Sequence, residues 1–237
     1  MKRNIRILSI KYSSYFLTYI LLFFIAVPSH GMEKLRPWEL YPKGLTFDVK
    51  RNGDRVGQHT VAFERTGRNQ FRVDTLMTVK VTLLSIPVYR YRYASESAWQ
   101  NGHMIKVMAV QDDDGDLSRV SALREDHTWT ITGPESQIQF RKILYPTNHW
   151  NAGVLTQNEV LDTLTGQVAQ VRITPGETEQ IKAQGRLVAA TPYQYSGDIK
   201  VRVWYDQSGR WVKMSFTAKE GSDMEYYCIE CGLAAHE

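Results

Sequence analysis

From Leu45 onward the chain repeats one pattern, in which short runs of β-branched, aromatic and aliphatic residues alternate with polar ones and are separated by turn residues. A period of two puts successive side chains on opposite faces of an extended strand, one dry and one wet. Leu45 to Lys50 leads into Arg51-Asn52-Gly53-Asp54, whose Asn-Gly pair tolerates the positive φ of a tight hairpin, and Val56 to Glu64 is expected to return along it. Thr66-Gly67-Arg68-Asn69 then turns the chain into Phe71 to Thr82. Here Phe71, Val73, Thr75, Met77, Val79 and Val81 share one face, while Arg72, Asp74, Thr78, Lys80 and Thr82 share the other. Pro87 marks a bend or an edge, because proline cannot donate to a ladder. Beyond it, Val88 to Trp99 carries Tyr89, Tyr91 and Tyr93 on one face and Arg90 and Arg92 on the other. Asn101-Gly102 and the acidic turn Asp112-Asp113-Asp114-Gly115-Asp116 connect further strands at Met104 to Val110, Leu117 to Leu123 and His127 to Thr132.

The rhythm breaks at Tyr145-Pro146-Thr147-Asn148-His149-Trp150-Asn151, which reads as an ordered loop. Val154, Leu155, Val160, Leu161 and Leu164 then fall at roughly helical spacing, so a short helix is expected over Val154 to Leu164, ended by Gly166. Strands resume at Val168 to Thr174, Leu187 to Tyr195, Ile199 to Tyr205, Trp211 to Lys219 and Met224 to Ile229. About a dozen strands and a single short helix define an all-β fold of antiparallel, mostly sequential hairpins. Such a sheet has to protect its edges, which favours a curled, partly closed barrel or half-barrel, with a sandwich as the alternative.

The first residues change the picture of charge and compartment. Lys2, Arg3, Arg6 and Lys11 flank an apolar run from Tyr15 to Val27, closed by Pro28-Ser29-His30-Gly31, and this is the layout of an export signal cut before Met32. The expected division is therefore 1-31 as signal peptide and 32-237 as a single β domain. Those four cations equal the formal excess of +4, so the remainder carries as many acids as bases. A basic footprint for nucleic acid is thus missing from the folded part. The apolar run is short for a span, which needs about 20 residues. A periplasmic or secreted location follows, with no stable membrane span after cleavage, and anchoring by an uncleaved signal is the alternative.

Four groups of residues are candidates for chemistry. Cys228 and Cys231 form a C-x-x-C, for which an oxidising compartment favours a local disulfide. A zinc site would need further ligands, and only His236 lies nearby. Asp112, Asp114 and Asp116 are calcium candidates in an acidic turn whose spacing lacks the pattern of an EF-hand; the plainer reading is a solvated hairpin, or one facing Arg90 and Arg92. His149, beside Asn148, Trp150 and Asn151, has the side chain of a general base, with Asp162 to assist it. The alternative is that Trp150 plugs one end of the β structure and the polar neighbours bond the loop. No nucleophile elbow, H-E-x-x-H or phosphate-cradling glycine loop accompanies His149. Finally, Tyr89, Tyr91 and Tyr93 with Arg90 and Arg92 could line a groove, supported by Tyr193, Tyr195, Trp204, Trp211, Tyr226 and Tyr227, or could simply be core.

Taken together, Val88-Tyr89-Arg90-Tyr91-Arg92-Tyr93, Trp99, Asn101-Gly102, Asp113-Asp114-Gly115, Thr147-Asn148-His149-Trp150-Asn151 and Leu164-Thr165-Gly166 resemble a group of exported bacterial β proteins catalogued only as a domain of unknown function. The resemblance runs from about Leu45 to Tyr227 and implies a mostly antiparallel exported domain; it brings no activity, cofactor or catalytic residue. The leading expectation is a non-enzymatic envelope protein binding a lipid or another apolar or amphipathic small molecule, with no cofactor. Tyr89, Tyr91, Tyr93, Arg90, Arg92, His149, Trp150 and Asn151 are its candidate contacts, and a concave, aromatic-lined cavity of several hundred Å3 is the expected container. The alternatives are an envelope hydrolase acting around His149 and a structural or assembly partner.

Overall fold

The structure, a computed structural model, describes residues 36–84 and 86–233. The expected export segment, its cleavage point before Met32, and His236 lie outside the described residues. Eight strands run as an up-and-down meander: β1 (Leu45–Arg51), β2 (Asp54–Gly67), β3 (Gln70–Leu83), β4 (Ile86–Gln100), β5 (His103–Asp113), β6 (Asp116–Glu125), β7 (Thr128–Thr132) and β8 (Gln137–Phe140). The second half supplies β9 (Glu159–Leu161), β10 (Val168–Pro175), β11 (Glu179–Ala183), β12 (Arg186–Gly197), β13 (Arg202–Asp206), β14 (Trp211–Thr217) and β15 (Asp223–Glu230). Among the described residues all join one antiparallel sheet of 15 strands, because β15 returns to pair with β1 at Phe47 opposite Cys228 and Val49 opposite Tyr226. β11 pairs with β12 beside the main path. The sheet is not closed. Its two edges, β8 and β9, are only 4 and 3 residues long, and short edges offer little template for another strand.

The alternation read from the sequence is the one that builds the core. Along β3, Phe71, Val73, Thr75 and Val79 are buried and Leu76, Thr78 and Lys80 are exposed. Type I′ hairpins need positive φ at both central residues, and Asn52-Gly53 and Asn101-Gly102 supply it, at 49° and 91° and at 52° and 80°. The concave side is filled by aromatic side chains, with Trp99, Trp129, Trp150 and Trp211 each 1 % exposed.

The helix expected over Val154 to Leu164 is not there. A short 3-10 turn, Ala152–Thr156, is followed by extended backbone at Gln157 and then by β9, and Leu164 is exposed. The polar gap Thr156-Gln157-Asn158-Glu159 leaves no continuous apolar stripe for a helix, whereas pairing with β10 buries Val160 and Leu161. Asp162 then closes a turn by accepting from the Leu164 amide and the Thr165 hydroxyl. The α-helix among the described residues is α1, Pro37–Leu40, with proline in its first turn.

Candidate functional site

The residues singled out by sequence fall at two separate places. At one end of the concave face lies the tyrosine stripe of β4. Tyr89, Tyr91 and Tyr93 point inward with increasing burial, and each hydroxyl is engaged: Tyr89 donates to Asp113 at 2.7 Å, Tyr91 to Gln111 at 3.2 Å and Tyr93 to Thr163 at 2.8 Å. Burial, reinforced at Tyr89 by the Asp113 carboxylate, pushes the Tyr89 and Tyr91 hydroxyls well above the ordinary phenol range. They therefore stay neutral hydrogen-bonding groups. Arg90 and Arg92 lie on the opposite, exposed face, and among the described residues neither has a carboxylate within 4.0 Å.

The strands carrying this stripe outrun their neighbours. Pairing of β2 with β3 ends at Gly57 opposite Val79, and pairing of β4 with β5 ends at Tyr91 opposite Asp113, yet β3 and β4 stay paired to Leu83 opposite Ile86. The result is a two-stranded finger whose tip exposes Leu84, Ile86 and Val88 at 90 %, 66 % and 52 %. Beside its base is the acidic turn. Asp112 accepts from the Gly115 amide, Asp113 from Tyr89 and Asp114 from the Arg90 amide, so these carboxylates shape the turn and brace the finger. No group of three or more His, Cys, Asp or Glu placed to hold a metal occurs among the described residues.

At the other end, the loop before the 3-10 turn folds into the concavity. Trp150 meets Trp99, Phe63 and Phe71 edge-on, with ring centroids 5.0, 5.2 and 6.0 Å away. The Tyr41 hydroxyl donates to the Trp150 carbonyl at 3.0 Å and accepts from the Trp211 amide at 2.9 Å, and the Tyr205 hydroxyl donates to the His149 carbonyl at 2.7 Å. Asn151 accepts from the Gly153 amide and caps the turn. His149 has φ 56°, is buried against Tyr195 and Trp211, and its Nδ1 has no partner among the described residues. Asp162, the expected assistant, is committed to its own turn. Burial pushes the His149 imidazole down to about 4, so it stands neutral among aromatic rings and lacks the carboxylate that would raise its basicity.

The sequence reading missed His59. It lies on β2 in register with the inward Val61 and Phe63, a polar side chain on the apolar face, and that alternation was the available signal. Its ring packs 5.4 Å from Trp211, 5.3 Å from Tyr226 and 6.2 Å from Phe47. Among the described residues neither nitrogen has a partner, and burial, with a smaller push from the charge of His149, lowers its pKa to about 3. Thr75 and Ser95, cross-strand partners on the same face, are also buried polar side chains.

The aromatic-lined container expected from the sequence is not what the curl encloses. The rings pack on one another and on the inserted loop, and a groove of 790 Å3 opens elsewhere, bordered by Leu155, Asn158, Gln170, Arg172, Ile173 and Ser196, with no aromatic lining. Cys228 and Cys231 are a buried, disulfide-capable pair with Cα atoms 6.2 Å apart, and the Gln184 side chain accepts from the Cys231 amide.

An open, curled antiparallel sheet with a filled concavity defines an all-β protein of barrel-like build. Residues 47–229 match the family model "Domain of unknown function (DUF6134)", and the chain belongs to this family. Among solved structures it is similar to a β-barrel-like protein of the domain of unknown function DUF1849 from Brucella abortus, with 12 % identity over 81 % of this chain and 97 % of that one and a TM-score of 0.56. That likeness is one of fold. No curated protein matches the chain.

Proposed function

We propose that this chain is an exported, non-enzymatic protein of the bacterial envelope that takes an apolar or amphipathic ligand at the Tyr89 end of its half-barrel. One observation carries the reading: half-buried inward tyrosines continue directly into a projecting ribbon with three exposed aliphatic side chains. Exposed aliphatic side chains grouped at one tip are the kind of apolar surface that marks an interaction site. Tyrosine suits the boundary, since its ring takes apolar contact while its hydroxyl stays bonded. The ligand would lie across this mouth, because the interior behind it is packed with side chains. Export rests on the charged and apolar N-terminal pattern. No helix among the described residues is long and apolar enough to cross a membrane. The neutral, unassisted imidazole of His149 argues against proton transfer there.

The test is native mass spectrometry of protein isolated from its own envelope. An apolar or amphipathic adduct is expected, and Tyr89→Ala should lose it. Protein that carries no adduct and takes up none from an envelope lipid extract overturns the proposal.

A further inference from the structure

Among the described residues no strand flanks the finger of β3 and β4 from Lys80 to Arg90, and the acidic turn after β5 touches only its base, at Tyr89 and Arg90. At roughly 3.4 Å per residue it reaches about 14 Å beyond the last flanked pair. An unflanked two-stranded ribbon is marginal in water. This one nevertheless ends in Leu84, Ile86, Pro87 and Val88, all exposed. Four residues behind the tip, Lys80 and Arg90 face each other across the ribbon, and Arg92 follows on the same outer face. None of the three cations has a carboxylate within 4.0 Å among the described residues.

We propose that this finger docks on the surface of a phospholipid bilayer, with Leu84, Ile86 and Val88 among the upper acyl chains and Lys80 and Arg90 at the phosphates. The inference deepens the function proposed above and rests on its reading of this end as the apolar one. Shape and charge both point to lipid. A narrow convex tip needs a partner that yields around it, which a bilayer does and a preformed protein groove does only by matching it. Interfacial elements bury their apolar side about 5–10 Å below the headgroups, so cations about 10–14 Å behind the tip come level with the phosphates, their flexible stems taking up the difference. Asp112 and Asp114 stand beside Arg92 and Arg90 and offset part of this charge, while their carboxylates are occupied by the Gly115 and Arg90 amides. Apolar insertion is therefore the main term, and preference for anionic lipid a smaller one.

The experiment is flotation of the full chain, isolated from the envelope of producing cells, with phosphatidylcholine vesicles containing about one third phosphatidylglycerol. The wild type is expected to float. L84S/I86S/V88S, in an otherwise identical chain, should bind at least about tenfold more weakly, because three aliphatic side chains no longer leave water. Lys80→Ser with Arg90→Ser should lower binding about threefold, with the effect fading at high salt. A fluorophore at Ile86→Cys should shift to the blue on vesicles in a chain whose thermal melting is unchanged.

Equal flotation of wild type and L84S/I86S/V88S overturns the proposal, as does a wild type that never floats. So does a concentration-dependent dimer that L84S/I86S/V88S abolishes while vesicles leave it intact, since the tip would then be covered by a second copy. Failure here and failure of the proposed function are distinguishable: a wild type that carries the adduct but never floats overturns the docking alone, whereas a wild type that floats but carries no adduct and takes up none overturns the proposed function alone.

Discussion

At the His149 end, Trp150 is almost fully buried against Phe63, Phe71 and Trp99, and its carbonyl is held by Tyr41; at the Tyr89 end, comparable apolar side chains project from a ribbon with no strand beside it. Both regions are aromatic-rich loops or strands of one sheet. The difference between them is where the backbone goes. A loop that turns inward converts its apolar residues into core, and a hairpin that outruns its neighbours leaves them in water. Residue type alone therefore marks neither region as a site: one end is built into the core, and the other stays exposed.

The sharpest way to break this contrast is Trp150→Ala. If the ring is core, its removal leaves a large void among three aromatic residues and should cost about 3–5 kcal/mol in a urea or guanidinium titration. A loss under about 1 kcal/mol would mean that the loop is a removable cover and the concavity a binding chamber after all.

Acid should weaken the same packed region. His59 and His149 are held neutral by burial, at about 3 and about 4, while an unfolded imidazole titrates near 6.5. Below pH 6.5 the unfolded chain takes up protons that the folded chain refuses, so stability is full above that value and falls as pH drops toward 4. The slope is up to about 1.4 kcal/mol per pH unit for each histidine. The rings packed on them are Phe47, Tyr195, Trp211 and Tyr226, which supply no carboxylate to reverse the sign. Denaturant titrations between pH 6.5 and 5, above the range where carboxylates take over, should show the decline. A variant combining His59→Leu with His149→Asn, whose Asn tolerates the positive φ, should flatten it. An unchanged slope would show that other groups set the acid limit.

Most of the fold was legible because it rests on short-range rules. The period-two pattern of β3 and the Asn-Gly turns define their strands without reference to the rest of the chain. What the sequence hid is what depends on distant partners. β9 is a strand because β10 covers Val160 and Leu161, a fact that the spacing of those residues does not contain. β8 and β11, Gln137–Phe140 and Glu179–Ala183, are too polar or too short to announce themselves. His59 gave itself away only as a polar residue on a dry face. The candidate contacts were grouped by residue type, and the fold sends Tyr89 and Trp150 to opposite ends.

Tyr41→Phe sharpens the comparison at single-atom scale. It keeps the ring that stacks on Phe63 at 5.5 Å and deletes the hydroxyl bridging the Trp150 carbonyl and the Trp211 amide. Two buried backbone groups then lose a partner, which should cost about 1–3 kcal/mol with no change in fold by circular dichroism. A neutral effect would mean that water reaches this loop and that the packed end is less closed than its burial indicates.

The finger should give the smallest effect, and that smallness is the informative result. Leu84→Ser and Ile86→Ser remove side chains that are 90 % and 66 % exposed, so there is little buried area to forfeit, and each should alter stability by no more than about 0.5 kcal/mol. Tyr91→Ala, five positions further along the same strand from Ile86, should by contrast be clearly destabilising, because its ring is largely buried and its hydroxyl is bonded to Gln111. The step in cost between Ile86 and Tyr91 locates the boundary between the part of the sheet that folds the molecule and the part left over for a partner. If serine at Leu84 or Ile86 cost as much as alanine at Tyr91, the tip would have to be packed within the molecule, and the open end would not be available to a ligand or a membrane.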